Sequence, residues 1–412
     1  MNEPIKGRPA FPGSERVEPV DAPGLRTRQQ ARAAALARHP GHLRAAAKRR
    51  LPRAILDYLE GGSNDEVTLR ANRTDLEALR LNQRVFEHAP SRNMRTTLFG
   101  QHATIPVALA PIGLAGVFYP RGEIHAARAA HAFGVPYCLS TLSSCAMEDV
   151  ATASRTPFLF QLYMFKDRGV NANLMQRADQ LRCPALVLTL DTCVQGRRNR
   201  DLDNGLVVPL KVRPRHVVRI ATRLRWLVGF LRNRPTLGNL TAYAAGGSDL
   251  ATVSAWADRH YKGAVTAADL EWVRQTWPRK LVVKGILDPE DAKLAVKLGA
   301  DAIVVSNHGG RQLDGANTAA RALPAIREAV GDGVELIYDG GIRSGLDVLK
   351  ALGLGAQGCL IGRAHLYGLA AHGEAGVAAA LKMMAQELDE GMALAGVADV
   401  NALPRGLVLK PV

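Results

Sequence analysis

The sequence has no run of 18 apolar residues, no CxxC pair, and no acidic residue between positions 205 and 248. Each absence excludes something. A membrane-spanning helix needs roughly 18 or more consecutive apolar residues, so none is expected. The five cysteines, Cys138, Cys145, Cys183, Cys193 and Cys359, are odd in number and lack metal-site spacing. They argue against a full disulfide framework and fit reduced thiols in the cytoplasm, and no metal site is expected. The N-terminus is polar and Pro-rich, with no apolar signal segment.

The chain does carry unevenly placed charge. Its formal net charge is +15 over 412 residues. Residues 1–53 hold twelve Lys/Arg against four Asp/Glu, and residues 205–248 hold eight Lys/Arg against none. These two stretches account for essentially all of the excess, so the rest is nearly neutral. A nucleic-acid-binding core would need a basic face of its own, and none is expected here. Residues 1–45 read as a basic, flexible tail, 46–400 as one large unit with a basic insertion at about 205–250, and 401–412 as a C-terminal tail.

The densest chemistry lies in Ser306-Asn307-His308-Gly309-Gly310-Arg311-Gln312-Leu313-Asp314-Gly315-Ala316. It follows the apolar run 302–305, which reads as a buried strand. A base beside a fixed cation at a strand end suits removal of a proton from an anionic substrate. Seven more apolar runs alternate with Ala- and Leu-rich helical stretches, at Pro106–Leu109, Pro136–Leu139, Phe158–Leu162, Ala185–Leu190, Lys280–Val283, Glu335–Tyr338 and Gly358–Ile361. Eight such repeats predict an α/β protein, a (β/α)8 TIM barrel with an N-terminal helical segment and a long insertion after strand 4. Every run ends in groups that bend, bond or carry charge, and in a barrel those ends converge on one face. Gly340, Gly341 and Arg343 after strand seven, with Gly362 and Arg363 after strand eight, read as a phosphate site.

Two motifs are discounted. Gly353-Leu354-Gly355-Ala356-Gln357-Gly358 matches GxGxxG but follows a helix and precedes a strand, the reverse of the dinucleotide order. His39-Pro40-Gly41-His42 lies in the basic tail and reads as solvated. The insertion is different. From His216 to Arg232, Arg215, Arg219 and Arg223 recur on one stripe and Val217, Ile220, Leu224, Leu227 and Leu231 on another, with Trp226 and Phe230 nearby. This pattern predicts either a basic amphipathic helix lying on an anionic membrane or a surface helix packed on the barrel.

The motifs Asp57-Tyr58-Leu59-Glu60-Gly61-Gly62, Phe160-Gln161-Leu162-Tyr163, Thr189-Leu190-Asp191-Thr192 and Val283-Lys284-Gly285-Ile286, together with 306–316, resemble the FMN-dependent L-2-hydroxy acid dehydrogenase/oxidase family from about 51 to 397. Residues 139–145 and 284–292 are most similar to the bacterial membrane-associated, respiratory-chain-linked L-lactate dehydrogenase branch. The resemblance implies FMN as cofactor and a role for each matching residue. His308 would be the base and Asp191 its orienting acid. Arg198 and Arg311 would hold the substrate carboxylate, with Tyr58 and Tyr163 bonding carboxylate and hydroxyl. Lys284 would stabilise negative charge at the flavin pyrimidine edge. Pro111, Ile112, Gly113, Ser140, Gln161, Thr189 and Ser306 would contact the flavin, and Asp339, Gly340, Gly341, Arg343, Gly362 and Arg363 would hold the ribityl phosphate.

Three positions depart from the family pattern. Leu142 stands where glycolate oxidases have tryptophan, and Gly113 where several relatives have alanine; both enlarge the substrate pocket. Cys193 replaces a common proline. The expected activity is therefore oxidation of an L-2-hydroxy acid, L-lactate to pyruvate first, with a mandelate-sized acid fitting the same argument. Electrons would pass to a quinone or other respiratory acceptor, from a homo-oligomer peripheral on the inner face of the cytoplasmic membrane. The rivals are a soluble oxidase using oxygen, and a membrane- or nucleic-acid-binding protein on a degenerate barrel. No nucleic-acid partner is expected.

Overall fold

The computed structural model describes residues 39–87, 89–205 and 222–409. Eight parallel strands form the barrel: β1 (Val107–Leu109), β2 (Cys138–Ser140), β3 (Leu159–Leu162), β4 (Ala185–Thr189), β5 (Lys280–Ile286), β6 (Ala302–Val305), β7 (Glu335–Asp339) and β8 (Gly358–Ile361). Each pairs with its neighbours in chain order, and β8 returns to β1. A parallel bridge between Leu109 and Tyr137 closes the ring. The eight expected runs are the eight strands, with ends shifted by up to three residues. The largest shift is in β5, which runs on to Ile286 through an irregularity between Lys284 and Ile286.

Strand alternation sorts the side chains into two cores. A small inner cluster inside the ring includes Ala108, Cys138, Leu159, Val187, Val282, Val304, Ile337 and Leu360. Leu98 and Phe99 of the hairpin Thr96–Leu98/Gln101–Ala103 plug its lower end. The larger outer cluster lies between strands and helices. The helices are punctuated by the residues that stop and start them. Asp288 caps Pro289–Lys297, and Ser344 with Asp347 forms a capping box at Gly345–Gly353. The glycine run 353–358 thus joins that helix to β8 and is no dinucleotide loop.

Both presumed tails are partly built into the fold. A helix, Pro40–Arg50, crosses the boundary expected at 45, because Leu43 and Ala47 bury against the barrel's outer core. His39 caps it by accepting from the Gly41 N–H, so it is no free tail residue. At the other end, Val408–Leu409 pairs antiparallel with Arg80–Leu81, and Leu407 is buried.

The insertion between β4 and β5 also departs from expectation. Among the described residues its helix runs from Leu224 to Asn233; the expected stretch 216–221 lies outside them. Trp226 is buried, donates from Nε1 to the Val117 carbonyl at 2.7 Å, and stacks on Phe230 at 4.9 Å. Both aromatics therefore face the barrel. Leu224, Val228 and Leu231, at i, i+4 and i+7, are 68%, 45% and 56% exposed. Further along, Asn239 is fully buried, accepting from Met147 N–H and donating to the carbonyls of Ser140 and Thr141 at the end of β2. Among the described residues no helix is long and apolar enough to cross a membrane.

Asn239→Ala removes both halves of this tie and leaves buried backbone groups unpaired. It is expected to cost about 1–3 kcal/mol, read as a lowered urea midpoint, and to speed proteolysis within 222–260.

Candidate active site

The ends of the strands open into one cavity of about 580 Å³. Nearly every residue singled out from the sequence lines it: Tyr58, Pro111–Gly113, Ser140, Leu142, Gln161, Tyr163, Thr189, Arg198, Lys284, His308, Arg311, Asp339–Gly341, Arg343, Gly362 and Arg363. Asp191 and Ser306 do not; they stand one layer behind, against His308 and Lys284.

His308 sits just after β6 with a left-handed backbone, φ +58°. Its Nδ1 faces the Asp191 carboxylate at 3.0 and 3.3 Å, which places the proton on Nδ1 and leaves Nε2 as the basic nitrogen. Nε2 lies 3.4 Å from the Tyr163 hydroxyl. Burial lowers the His308 pKa from its ordinary 6.5, with Asp191 opposing and Lys284 reinforcing the shift. Burial alone would raise Asp191, but His308 and Lys284 hold its carboxyl below the usual range. The pair thus rests as a neutral imidazole on a carboxylate. Burial also raises the Tyr163 hydroxyl, so it stays protonated and can donate.

Asp191 can approach because Gly285 has no side chain. A Cβ there would lie 2.6 Å from the Asp191 Cβ, on a backbone at φ +103°. The irregularity in β5 falls at this glycine. Gln312 locks the loop from the other side, donating from Nε2 to the carbonyls of Asp191 and Val194 at 2.8 and 2.9 Å.

Lys284 is buried and pairs with Asp339 at 3.0 Å. Ser306 saturates the group: it accepts from Lys284 Nζ and from His308 N–H, both at 2.9 Å, and donates to Asp339 at 2.7 Å. Burial would discharge Lys284, but Asp339 and Asp191 hold its pKa above the ordinary value. Asp339 is thus the counter-ion of Lys284 and also lines the cavity, with Ser306 bridging the two from behind. Gln161 bridges Ser140 and Thr189, each at 3.0 Å, fixing an amide on the cavity floor.

Two pairs of arginines mark the two ends of the cavity. Arg363 donates to the carbonyls of Leu59, Gly309 and Gly61, and Arg343 to that of Ile342. Neither has an ion pair among the described residues. Burial pushes Arg363 down to about 9 and lowers Arg343 as well. Gly362, at the N-terminus of helix Arg363–His372, and Gly340–Gly341 add backbone donors. A side chain on Gly341 would run into the Asn72 carbonyl. Two half-buried guanidiniums with no ion pair among the described residues, beside a helix N-terminus, fit a phosphate ester. At the other end Arg311 is fixed by the carbonyls of Tyr58 and Gly61, both at 2.8 Å, and lies over the Tyr58 ring. Arg198 stands beside it, its Nε buried without a partner. That end fits a carboxylate.

Several structural ties were not foreseen. Asn72 and Asn307 exchange side-chain amide bonds at 2.9 and 2.8 Å and hold the 306–310 turn. Glu123 accepts from Ala115 N–H and Ser144 N–H, joining the loops after β1 and β2. Tyr261 from the insertion donates to the Thr192 carbonyl at 2.8 Å and meets Tyr163 edge-on at 6.0 Å. Asn307 and Gln312 lay inside the recognised motif; for Asn72, Glu123 and Tyr261 the sequence holds no local signal, because their partners are distant in the chain.

Comparison with known proteins agrees with this geometry. The family described as FMN-dependent dehydrogenase matches residues 47–410. A Caulobacter vibrioides L-lactate dehydrogenase is 48% identical over 87% of this chain and 94% of its own. A Pseudomonas aeruginosa L-lactate dehydrogenase is 46% identical over 87% and 95%. The structure of a monotopic membrane protein, (S)-mandelate dehydrogenase, superposes with a TM-score of 0.87 at 34% identity, covering 90% of this chain and 99% of that one. A mandelate oxidase with bound (S)-4-hydroxymandelic acid gives 0.77 at 39% identity, over 88% and 96%.

Gly285→Ala is expected to push Asp191 off His308. Losing the carboxylate that raises it, His308 then titrates at still lower pH, and the fold loses about 1–3 kcal/mol through backbone strain; imidazole NMR across pH 4–8 reads the first and thermal unfolding the second.

Proposed function

The chain belongs to the FMN-dependent dehydrogenase family, and on that footing we propose that it oxidises an L-2-hydroxy acid, L-lactate first, to the 2-oxo acid. One observation carries the reading: the line Asp191–His308–Tyr163 stands beside the paired Arg198 and Arg311. The arginines and Tyr58 hold the substrate carboxylate. Tyr163 donates to the substrate hydroxyl, and His308 Nε2 removes a proton while Asp191 stabilises the imidazolium. FMN, when bound, would supply the oxidant, accepting the two electrons together with the second proton that leaves the substrate, so that the loss of two hydrogens gives the 2-oxo acid. The residues present fit it: Arg343, Arg363, Gly341 and Gly362 would hold its phosphate, and Ser140, Gln161, Thr189 and the 111–113 backbone would meet its ring. Lys284, kept charged by Asp339, would face negative charge on the reduced ring.

L-Lactate is favoured by the relatives bearing that name. A second reading, a mandelate-sized acid, is favoured by the bare Gly113, which packs against Leu142 and leaves that wall of the pocket low. The exposed stripe of Leu224, Val228 and Leu231, with Arg225 and Arg232 beside it, supports peripheral attachment to an anionic membrane at its cytoplasmic face, with a quinone or another respiratory carrier as acceptor. A homo-oligomer is part of the same proposal.

The purified protein is expected to be yellow and to bleach anaerobically with one or more L-2-hydroxy acids, with reoxidation by quinone faster than by oxygen. His308→Gln keeps the colour and loses bleaching. The acid limb of kcat/KM lies below pH 6.5, because the lowered pKa preserves the neutral base until pH falls through it. Bleaching by the variant at the wild-type rate refutes His308 as base. Separately, Leu224→Glu with Leu231→Glu is expected to abolish sedimentation with anionic vesicles while leaving bleaching intact; unchanged sedimentation refutes the membrane face.

A further inference from the structure

The two arms of the carboxylate clamp are held unequally. Arg311 is anchored on two backbone carbonyls and on the Tyr58 ring. Arg198 has no such anchor. It precedes the short helix Asn199–Asp203, its Nε is buried and unpartnered, and its one ion pair among the described residues is with Asp201, Nη1 to Oδ2 at 3.9 Å. Asp201 itself is 8% exposed, lines the cavity, and accepts no side-chain hydrogen bond from a described residue. The cavity therefore contains a carboxylate of its own, beside the cations that the proposed activity reserves for the carboxylate of a substrate.

We propose that Asp201 is the resident counter-anion of the clamp: it holds Arg198 in place in the free enzyme and takes up one proton from solvent when a substrate carboxylate binds between Arg198 and Arg311. The inference rests on the reading that these arginines bind a 2-hydroxy acid. It follows from charge. Two guanidiniums formally neutralise two carboxylates, but a substrate carboxylate gripped by both arginines draws them away from Asp201, which is left buried with one long contact at 3.9 Å beside a new like charge, a repulsion that its protonation removes. The substrate acid gains contacts from both arginines and Tyr58, whereas Asp201 has only the longer contact to Arg198, so the proton goes to Asp201.

The surroundings of Asp201 agree. Arg311 and Arg198 face it from the cavity side and favour its charged form; Arg200 on its own helix does the same more weakly. Asp57, from the helix Arg53–Glu60 packed against it, opposes them. Asp57 is in turn engaged by Arg53 at 2.8 Å and by Asn204 at 3.0 Å, and Arg200 is drawn off by Glu66 at 2.6 Å. Burial outweighs the cations and already sets the Asp201 carboxyl above the ordinary carboxylate range before any second anion enters. The sign of the linkage follows. Binding raises the pKa of Asp201 further, so affinity is greatest where the proton is available and weakens as pH rises.

Asp201 is a positioning residue, and proton linkage separates it from a merely structural one. The test uses the oxidised holoenzyme and the 2-oxo acid product of whichever 2-hydroxy acid bleaches it, pyruvate first. Calorimetric titration in buffers of different ionisation enthalpy counts the protons taken up. The wild type is expected to take up close to one proton per site near neutral pH, with Kd rising by about tenfold per pH unit across the range where uptake is close to one and levelling off above it. Asp201→Asn, isosteric and neutral, is expected to bind with no uptake and with a flat pH dependence. His308→Gln and Asp57→Asn are expected to retain the uptake. Wild-type binding without proton uptake overturns the inference alone, and so does uptake that survives in Asp201→Asn or disappears in His308→Gln, since the proton then resides elsewhere. If no 2-oxo acid binds the wild type at all, the clamp reading fails and takes the inference with it.

Discussion

In seven of the eight barrel strands, an inward-pointing apolar side chain is followed two residues later by a position of the site. Cys138 leads to Ser140, Leu159 to Gln161, Val187 to Thr189, Val282 to Lys284, Ile337 to Asp339 and Leu360 to Gly362, all lining the cavity, and Val304 to Ser306 just behind it. The pleat alone dictates this. The hydrophobic centre of the barrel and the chemical layer above it are consecutive floors of one structure, and neither can shift without the other. A slip of one residue in β5 would send Lys284 outward among the helices, where its charge would have no partner and a cost of several kcal/mol.

Above that floor, the governing quantity is buried positive charge. Lys284 has its counter-ion in Asp339, and Arg198 has a distant one in Asp201. Arg311, Arg343 and Arg363 have none among the described residues, and Arg311 and Arg343 each depress Arg363. Such an arrangement is stabilised when anions enter it, and the proposed reading supplies one at each end: a phosphate between Arg343 and Arg363, a carboxylate between Arg198 and Arg311. Cofactor and substrate are thus partners in one electrostatic account, and holding the first prepares the protein for the second.

Much of this was legible in the sequence because strand order and strand ends are local properties. The eight runs, their glycines and their terminal polar groups appear directly in the chain, and the recognised motifs carry nearly every cavity residue. Ties between distant segments were not legible. Asn72 with Asn307, Glu123 with Ser144, and Asn239 with the end of β2 are pairings in three dimensions with no periodic trace. The amphipathic pattern of the insertion was read as one apolar face, whereas Trp226 and Phe230 turn inward and Leu224, Val228 and Leu231 outward. A helix with two apolar faces shows the same composition as a helix with one. The mutual bonds of Lys284, Ser306 and Asp339 are likewise invisible in the sequence, which shows which groups converge and not which of them satisfy one another.

The return of β8 to β1, together with the pairing of Arg80–Leu81 with Val408–Leu409, has a consequence for how the protein is made. On a ribosome the chain emerges from its N-terminus, yet β1 obtains its second neighbour only once residues 358–361 exist, and the ends are tied by contacts such as Asn93 with Asp399, 306 residues apart. Contacts of such sequence separation form slowly and late. The phosphate end of the cavity, built by β7 and β8, is the last part synthesised, while the substrate end waits half-walled. A nascent chain that ends before residue 358 lacks the last strand together with Gly362 and Arg363, so bound colour is expected only after these have emerged.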